Sequence, residues 1–158
     1  ERVTGKRLPQ IISERLWVPM GAEEDANITL DSIGYGLACG GVSASLRDLA
    51  RFGDAMLKEG LVNGKQVIPK KWVNDVRHGT HGLPLEKYFE KGHYRNQFWV
   101  EDSNKGSHYC LGVFGQLIYV APQSKMVAVK FSTWPTFRSE EFVTYTTRAL
   151  HAIASELN

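Results

Sequence analysis

A serine becomes a nucleophile only with a base in reach, and the compact device is Ser-x-x-Lys on a helix, where positions i and i+3 share a face. No Ser or Thr in this chain has Lys three positions later. Gly-x-Ser-x-Gly is also absent, which removes a nucleophile elbow; neither His-Glu-x-x-His nor Gly-x-Gly-x-x-Gly occurs, which removes the usual zinc-protease and dinucleotide signals. One ligand-like spacing remains, His78-x-x-His81. With Gly79 and Gly82 beside it, it reads as a loop carrying two solvated imidazoles rather than a metal site. Cys39 and Cys110 lie far apart without a CxxC spacing, so two buried free thiols are the simpler reading and a single disulfide the alternative. No metal or cofactor is called for.

The elements that would position any chemistry are readable in outline. Gly5 followed by Lys6-Arg7-Leu8-Pro9 looks like a C-cap glycine with a proline opening the next helix, so residues 1–4 read as a last helical turn and the chain is expected to begin mid-fold. A helix is predicted from Pro9 to Trp17, stopped by Pro19. Residues 21–41 have no sustained period and form a long covering loop. The clearest helix follows Ser45, with Leu46, Leu49, Phe52, Gly53, Met56 and Leu57 on one apolar face. Asn63-Gly64 is a turn, 66–68 a short strand, and Pro69 opens a helix through Arg77. Residues 78–92 read as irregular.

Thereafter the period changes from helical to strand. Residues 97–100, 109–113, 116–120 and 126–131 are short β-branched or aromatic runs, as in an antiparallel meander. A final helix over 139–157 puts Phe142, Thr146, Leu150, Ile153 and Leu157 on one face for docking onto the sheet. The expected class is α+β, an antiparallel sheet flanked by helices, in one undivided unit.

Composition excludes two function classes. The 19 basic and 17 acidic residues give +2 without a basic stripe, so nucleic-acid binding has no electrostatic footprint. No apolar run approaches the ~20 residues needed to cross a bilayer. The opening Glu1-Arg2-Val3-Thr4-Gly5 is neither a Met start nor a signal peptide, so targeting is not readable from it; the compartment is left open, with the cytoplasm slightly favoured.

Three segments together carry a resemblance. They are Glu1 to Leu8 running on through Ile12-Ser13-Glu14-Arg15-Leu16-Trp17-Val18-Pro19-Met20-Gly21 to Ala26; Gly40-Gly41-Val42-Ser43-Ala44-Ser45-Leu46-Arg47-Asp48-Leu49-Ala50-Arg51-Phe52-Gly53; and Gly112-Val113-Phe114-Gly115-Gln116-Leu117-Ile118-Tyr119-Val120-Ala121-Pro122. In this order they resemble the penicillin-recognising serine hydrolases of the β-lactamase fold, nearest to the nylon-oligomer (6-aminohexanoate-dimer) hydrolases. The first is similar to the family's segment after its Tyr-x-Asn motif, and the third to the strand bearing the Lys-Thr-Gly counterpart. The resemblance implies that residues 1–158 are a C-terminal portion, with the family's nucleophilic Ser, its Lys and its Tyr upstream. Tyr94-Arg95-Asn96 spells Tyr-x-Asn in the wrong part of the order and is set aside.

By the same resemblance, Val113-Phe114-Gly115 takes the Lys-Thr-Gly position and the Gln116 backbone N–H points into an oxyanion hole, whose second donor would come from the nucleophile's own backbone. Gly115 would let substrate approach the strand; without the resemblance an ordinary buried strand glycine is the simpler reading. Val113 and Phe114 supply neither Lys nor His, which favours an esterase or amidase over a β-lactamase. Tyr35 resembles a substrate-contacting tyrosine, against a plain loop aromatic. Trp134 and Glu141 could line the pocket, although Glu140-Glu141 also suits the first turn of a helix.

The implied activity is hydrolysis of amide or ester bonds in small linear substrates through an acyl-enzyme, with this chain alone inactive. The alternatives are a carboxylesterase or β-lactamase-like enzyme of the same family, and a catalytically inactive binding or assembly domain that self-associates through a bare sheet edge.

Overall fold

The computed structural model describes residues 1–79, 81–86 and 88–157. Residues 1–4 form a turn rather than a full helical turn, closed by Gly5, whose N–H bonds Glu1 O at 2.8 Å with φ +67°. Pro9 sits in the first turn of α1 (Leu8–Ile12), where a missing N–H costs no intrahelical bond. The helix then widens into a π turn, Ser13–Trp17, and resumes as α2 (Val18–Met20). Pro19, expected to stop the helix, therefore lies within it. A proline ring collides with the carbonyl four residues back in a regular α-helix. The π turn shifts that register, with Val18 N–H bonding Ser13 O, and the helix ends instead at left-handed Gly21.

The long loop is a folded excursion. Its β1 (Asn27–Ile28) pairs antiparallel with β2 (Val42–Ser43), and Leu30 bridges Gly36. It is fastened to α3 (Leu46–Leu57) by Asp48, whose fully buried carboxylate accepts from the Glu23 amide (2.9 Å), the Glu24 amide (3.1 Å) and Ser45 Oγ (2.8 Å), with Arg51 bridging Asp48 and Glu23. Burial alone would raise this carboxyl's pKa; those hydrogen bonds outweigh it and hold it below the usual carboxylate range. Ser45 caps α3 by accepting from the Asp48 amide, so one pair of residues starts the helix and pins the loop.

A two-residue hairpin follows, β3 (Leu61–Val62) and β4 (Lys65–Gln66), turned by Asn63 and Gly64 at φ +48° and +78°. After Pro69 comes α4 (Lys70–His78). The sheet contains β5 (Leu83–Pro84), β6 (His93–Arg95), β7 (Phe98–Asp102), β8 (Ser107–Leu111), β9 (Leu117–Ala121) and β10 (Met126–Lys130), in the order β10-β9-β8-β7-β6-β5 with every neighbour antiparallel. The predicted meander is thus present and two strands longer. β5 and β6 escape notice in the sequence because they are two and three residues long and carry Pro84 and His93 where a periodic apolar residue would signal a strand. Asn96 and Gln97, at φ +49° and +72°, turn the β6–β7 hairpin, so the Tyr94-Arg95-Asn96 triplet is the end of a strand running into a turn.

Strand alternation splits the core in two. Phe98, Val100, Ile118 and Val120 face Ala55 and Met56 of α3 and Val73 and Val76 of α4. Tyr109, Leu117, Tyr119, Ala121 and Met126 form the other cluster, covered by α5 (Glu140–Glu156) through Leu150 and Ala154. Each fully buried apolar side chain contributes roughly 1.5–3 kcal/mol. Gly53 sets the approach of α3, since a Cβ there would stand 2.5 Å from Val127 Cγ1. The terminal helix docks as expected, but Ile153 and Leu157 are 53% and 58% exposed. Both cysteines are free, and the expectation that both are buried fails for Cys39, which is exposed on the loop, whereas Cys110 lies on β8. Among the described residues, no helix is long and apolar enough to cross a membrane.

Candidate active site

The run predicted as strand through Val113 stops at Leu111, and Val113–Gly115 form a tight 3-10 turn into β9. Phe114 sits at φ +54° and Gly115 at φ +84°, so Gly115 is a turn glycine and not a strand glycine. Only glycine fits: a Cβ would meet Trp134 Cε2 at 2.3 Å and Ser132 Oγ at 2.6 Å, in addition to the left-handed backbone.

The segment after β10 holds this turn from outside. Phe114 N–H donates to Phe137 O (3.0 Å), Trp134 N–H to Phe114 O (3.2 Å), and Gly112 N–H to Gln116 O (2.9 Å). The Gln116 side chain brackets Ser132 in both directions, donating to its carbonyl at 2.5 Å and accepting from its amide at 3.3 Å. Lys130 Nζ donates to Gly115 O (3.2 Å) and Ser132 Oγ (2.7 Å) and lies 4.7 Å from the centre of the Trp134 ring. Desolvation lowers the Lys130 pKa.

Two backbone amides of the turn can be compared as donors. Gln116 N–H, expected to serve the oxyanion hole, points at Val113 O at 3.4 Å and closes the turn. That amide is therefore engaged within the turn. Val113 N–H has no acceptor among the described residues, because the first residue of a helical turn has no carbonyl behind it to bond. Val113 borders a cavity of about 510 Å³ walled by Trp99, Leu111, Gly112, Trp134 and Phe137, with Arg138 and Glu140 among its polar lining.

The other expected residues separate. Trp134 lines the cavity; Phe114 turns away from it and meets Phe137 edge-on, 6.4 Å between centroids. Glu141 accepts from Tyr145 OH at 3.0 Å and is not in the lining; Glu140 is, since one helical step rotates the side chain by about 100°. Tyr35 lies outside the lining too, in the turn organised by Asp31, with the Arg7 guanidinium 5.2 Å over its ring. Trp99 and Phe137 were missed. Trp99 was recoverable from β7, where it must face away from Phe98 and Val100; Phe137 follows the last strand in a segment with no period.

Among the described residues, nucleophile and base do not meet in this cavity. Ser132 receives the Lys130 ammonium and gives its own proton to Phe114 O (3.2 Å), so no base withdraws that proton. Ser103 Oγ is 2.9 Å from His93 Nδ1, but it also donates to Lys91 O (2.8 Å) and neither residue lines the cavity. His78 bonds Ser103 O through Nδ1 at 2.6 Å, which uses the ring nitrogen nearest the backbone. These residues thus assemble an aromatic cavity with the unpaired Val113 amide on a residue of its wall.

The chain has relatives in both sequence and structure. Residues 1–153 match the Beta-lactamase family. The chain is 39% identical over 140 residues to the 6-aminohexanoate-dimer hydrolase of Paenarthrobacter ureafaciens, covering 85% of this chain and 36% of that protein. It is 34% identical over 119 residues to an uncharacterized protein of Alkalihalophilus pseudofirmus, covering 64% of this chain and 32% of the relative. Among solved structures, a Bacillus anthracis protein provisionally assigned as a 6-aminohexanoate-dimer hydrolase superposes with TM-score 0.85 at 33% identity, over 98% of this chain and 40% of its own. The chain thus spans well under half the length of these relatives. With the match running almost from end to end, the chain belongs to the β-lactamase family and has 6-aminohexanoate-dimer hydrolase homologues in both sequence and structure.

Proposed function

We propose that this chain forms the oxyanion turn, the pocket walls and the C-terminal helix of a serine hydrolase that cleaves amide or ester bonds of small linear substrates through an acyl-enzyme. The observation that carries the reading is the unpaired Val113 N–H at the wall of an aromatic cavity, in a chain related to a hydrolase. The acyl oxygen gains negative charge as the tetrahedral intermediate forms, and a fixed backbone donor stabilises that charge without reorganising. Trp99, Trp134 and Phe137 would hold the linear apolar part of the substrate. The nucleophile, its base and the second oxyanion donor are assigned to a part of the protein preceding residue 1.

The test uses the complete protein with p-nitrophenyl esters and a linear aminohexanoate dimer. A burst of p-nitrophenol is expected, together with slower amide cleavage. Val113→Pro deletes the N–H, and Gly112 before it is already extended (φ −107°, ψ 169°), as a residue preceding proline prefers. Its kcat should fall about 10²–10³-fold. Inertness of the complete wild-type protein toward both substrate classes would refute the reading.

A second reading, an assembly domain, draws on β10, which stands at the outer edge of the sheet with one side unpaired among the described residues. Light scattering of the isolated chain distinguishes it: a stable monomer contradicts self-association through that edge.

A further inference from the structure

The bonds around the Val113–Gly115 turn converge on one side chain. Left to itself, the turn is strained. A non-glycine residue at φ +54°, such as Phe114, is held only where its surroundings over-determine it, and relaxing that angle would swing the adjacent Val113 amide. The carbonyls of Phe114 and Gly115 lie on the outer side of the turn, where Lys130 and Ser132 collect them: Ser132 Oγ reaches Phe114 O, and Lys130 Nζ reaches Gly115 O and Ser132 Oγ together. The Trp134 ring takes the third side of the ammonium, and its edge fills the space that a Gly115 side chain would occupy. No carboxylate pairs with Lys130 in an ion pair among the described residues, so its charge is directed at backbone oxygens.

We propose that Lys130 is a positioning residue for the hydrolytic reaction: through Gly115 O and Ser132 Oγ it locks the Val113–Gly115 turn in the conformation that presents the Val113 N–H to the reacting oxygen. This rests on the hydrolase reading above, and it assigns a role to a strand residue that does not line the cavity. An ammonium suits the task because it donates to several acceptors from one compact centre. The role predicts a transition-state effect, since substrate binding in the aromatic cavity does not use the lysine whereas the amide donor does.

The experiment compares wild type, Lys130→Met and Lys130→Arg in the complete protein. Lys130→Met keeps the apolar stem and removes the donors. Misplacing a donor by about an ångström costs on the order of 10²-fold, so kcat on a p-nitrophenyl ester should fall by about that factor while KM changes less than about threefold. Affinity for an alkyl boronic acid, which forms a tetrahedral adduct, should fall in parallel with kcat. Lys130→Arg, which keeps a donor fork, should recover a substantial part of the loss. Independently of activity, hydrogen exchange at the Phe114 amide, now bonded to Phe137 O, should speed up in Lys130→Met.

Unchanged kcat in Lys130→Met, or an equal loss in kcat and thermal stability with no rescue by arginine, overturns the positioning role while leaving the hydrolase reading intact. Unchanged exchange at Phe114 overturns the clamp even if no substrate is turned over. A wild type inert toward every ester, with exchange at Phe114 accelerated in the variant, removes the hydrolase reading and with it the catalytic role, leaving only a structural clamp.

Discussion

His151 Nε2 lies 2.5 Å from Glu101 Oε1, which ties the terminal helix α5 to the sheet strand β7. No residue of α5 is buried, so this polar link complements the Leu150 and Ala154 contacts. The same carboxylate accepts from Ser107 Oγ (3.1 Å), Tyr109 OH (3.3 Å) and Tyr119 OH (3.3 Å), so that partners from β8, β9 and the helix meet on one β7 side chain. Burial first, and the Glu101 charge second, push both tyrosine pKa values above their ordinary range, keeping the two phenols as donors.

Glu101→Gln leaves one acceptor oxygen and introduces two unwanted donors. It should destabilise the fold by about 2 kcal/mol, and His151→Ala by about 1 kcal/mol. Urea denaturation of single and double variants checks this. The double variant should lose less than the sum, because the two groups share one interaction. Additive losses would show that they act separately.

His108 is fully buried on β8, with Nδ1 at 2.8 Å from Gly106 O and Nε2 without a partner. Burial lowers its pKa to about 4. Protonation therefore favours the unfolded chain, where imidazole titrates near 6.5. Its neutral form supports full stability above about pH 6.5, and the contribution is lost as pH falls from there toward 4, reaching about 3 kcal/mol. Thermal midpoints between pH 7 and 4 should drop less steeply in His108→Phe than in wild type.

The two thiols should differ in reactivity. Burial pushes the Cys110 thiol up to about 12, while Cys39 is exposed. Because the thiolate is the reactive form, a maleimide should label Cys39 alone in the native chain and both after denaturation. Mass spectrometry after brief labelling reads this directly; native labelling at Cys110 would contradict the packing around β8.

Gly115→Ala places a Cβ 2.3 Å from Trp134 Cε2 on a left-handed backbone. A loss of roughly 2–4 kcal/mol is expected, compounding strain and overpacking. Trp134→Ala in the same chain should recover part of it by removing the collision, as measured by urea midpoints.

Much of this was written in local sequence. Ser45 and Asp48 mark the start of α3, Asn63-Gly64 a turn, and the alternation after residue 97 four strands of the sheet, because each signal depends on neighbours within a few positions. The family resemblance drew attention to residues 112–122 and to the Gln116 amide. Backbone hydrogen bonds depend on dihedral angles, and nothing in the letters Gly-Val-Phe-Gly-Gln says that Gln116 N–H closes the turn and Val113 N–H stays open. The same limit hid Pro19 inside a helix, where a π turn upstream makes room for it.

The sequence by itself determined the α+β class, the meander, the terminal helix and, through three matching segments, the family. Only the tertiary structure decided that Trp99, Trp134 and Phe137 share a cavity, that Glu140 rather than Glu141 faces it, and that Lys130 reaches Gly115 O from β10. Period and turn chemistry are local properties that a short window records. A cavity and a clamp join residues far apart along the chain, and their distances exist only once the sheet has brought β8, β10 and α5 together.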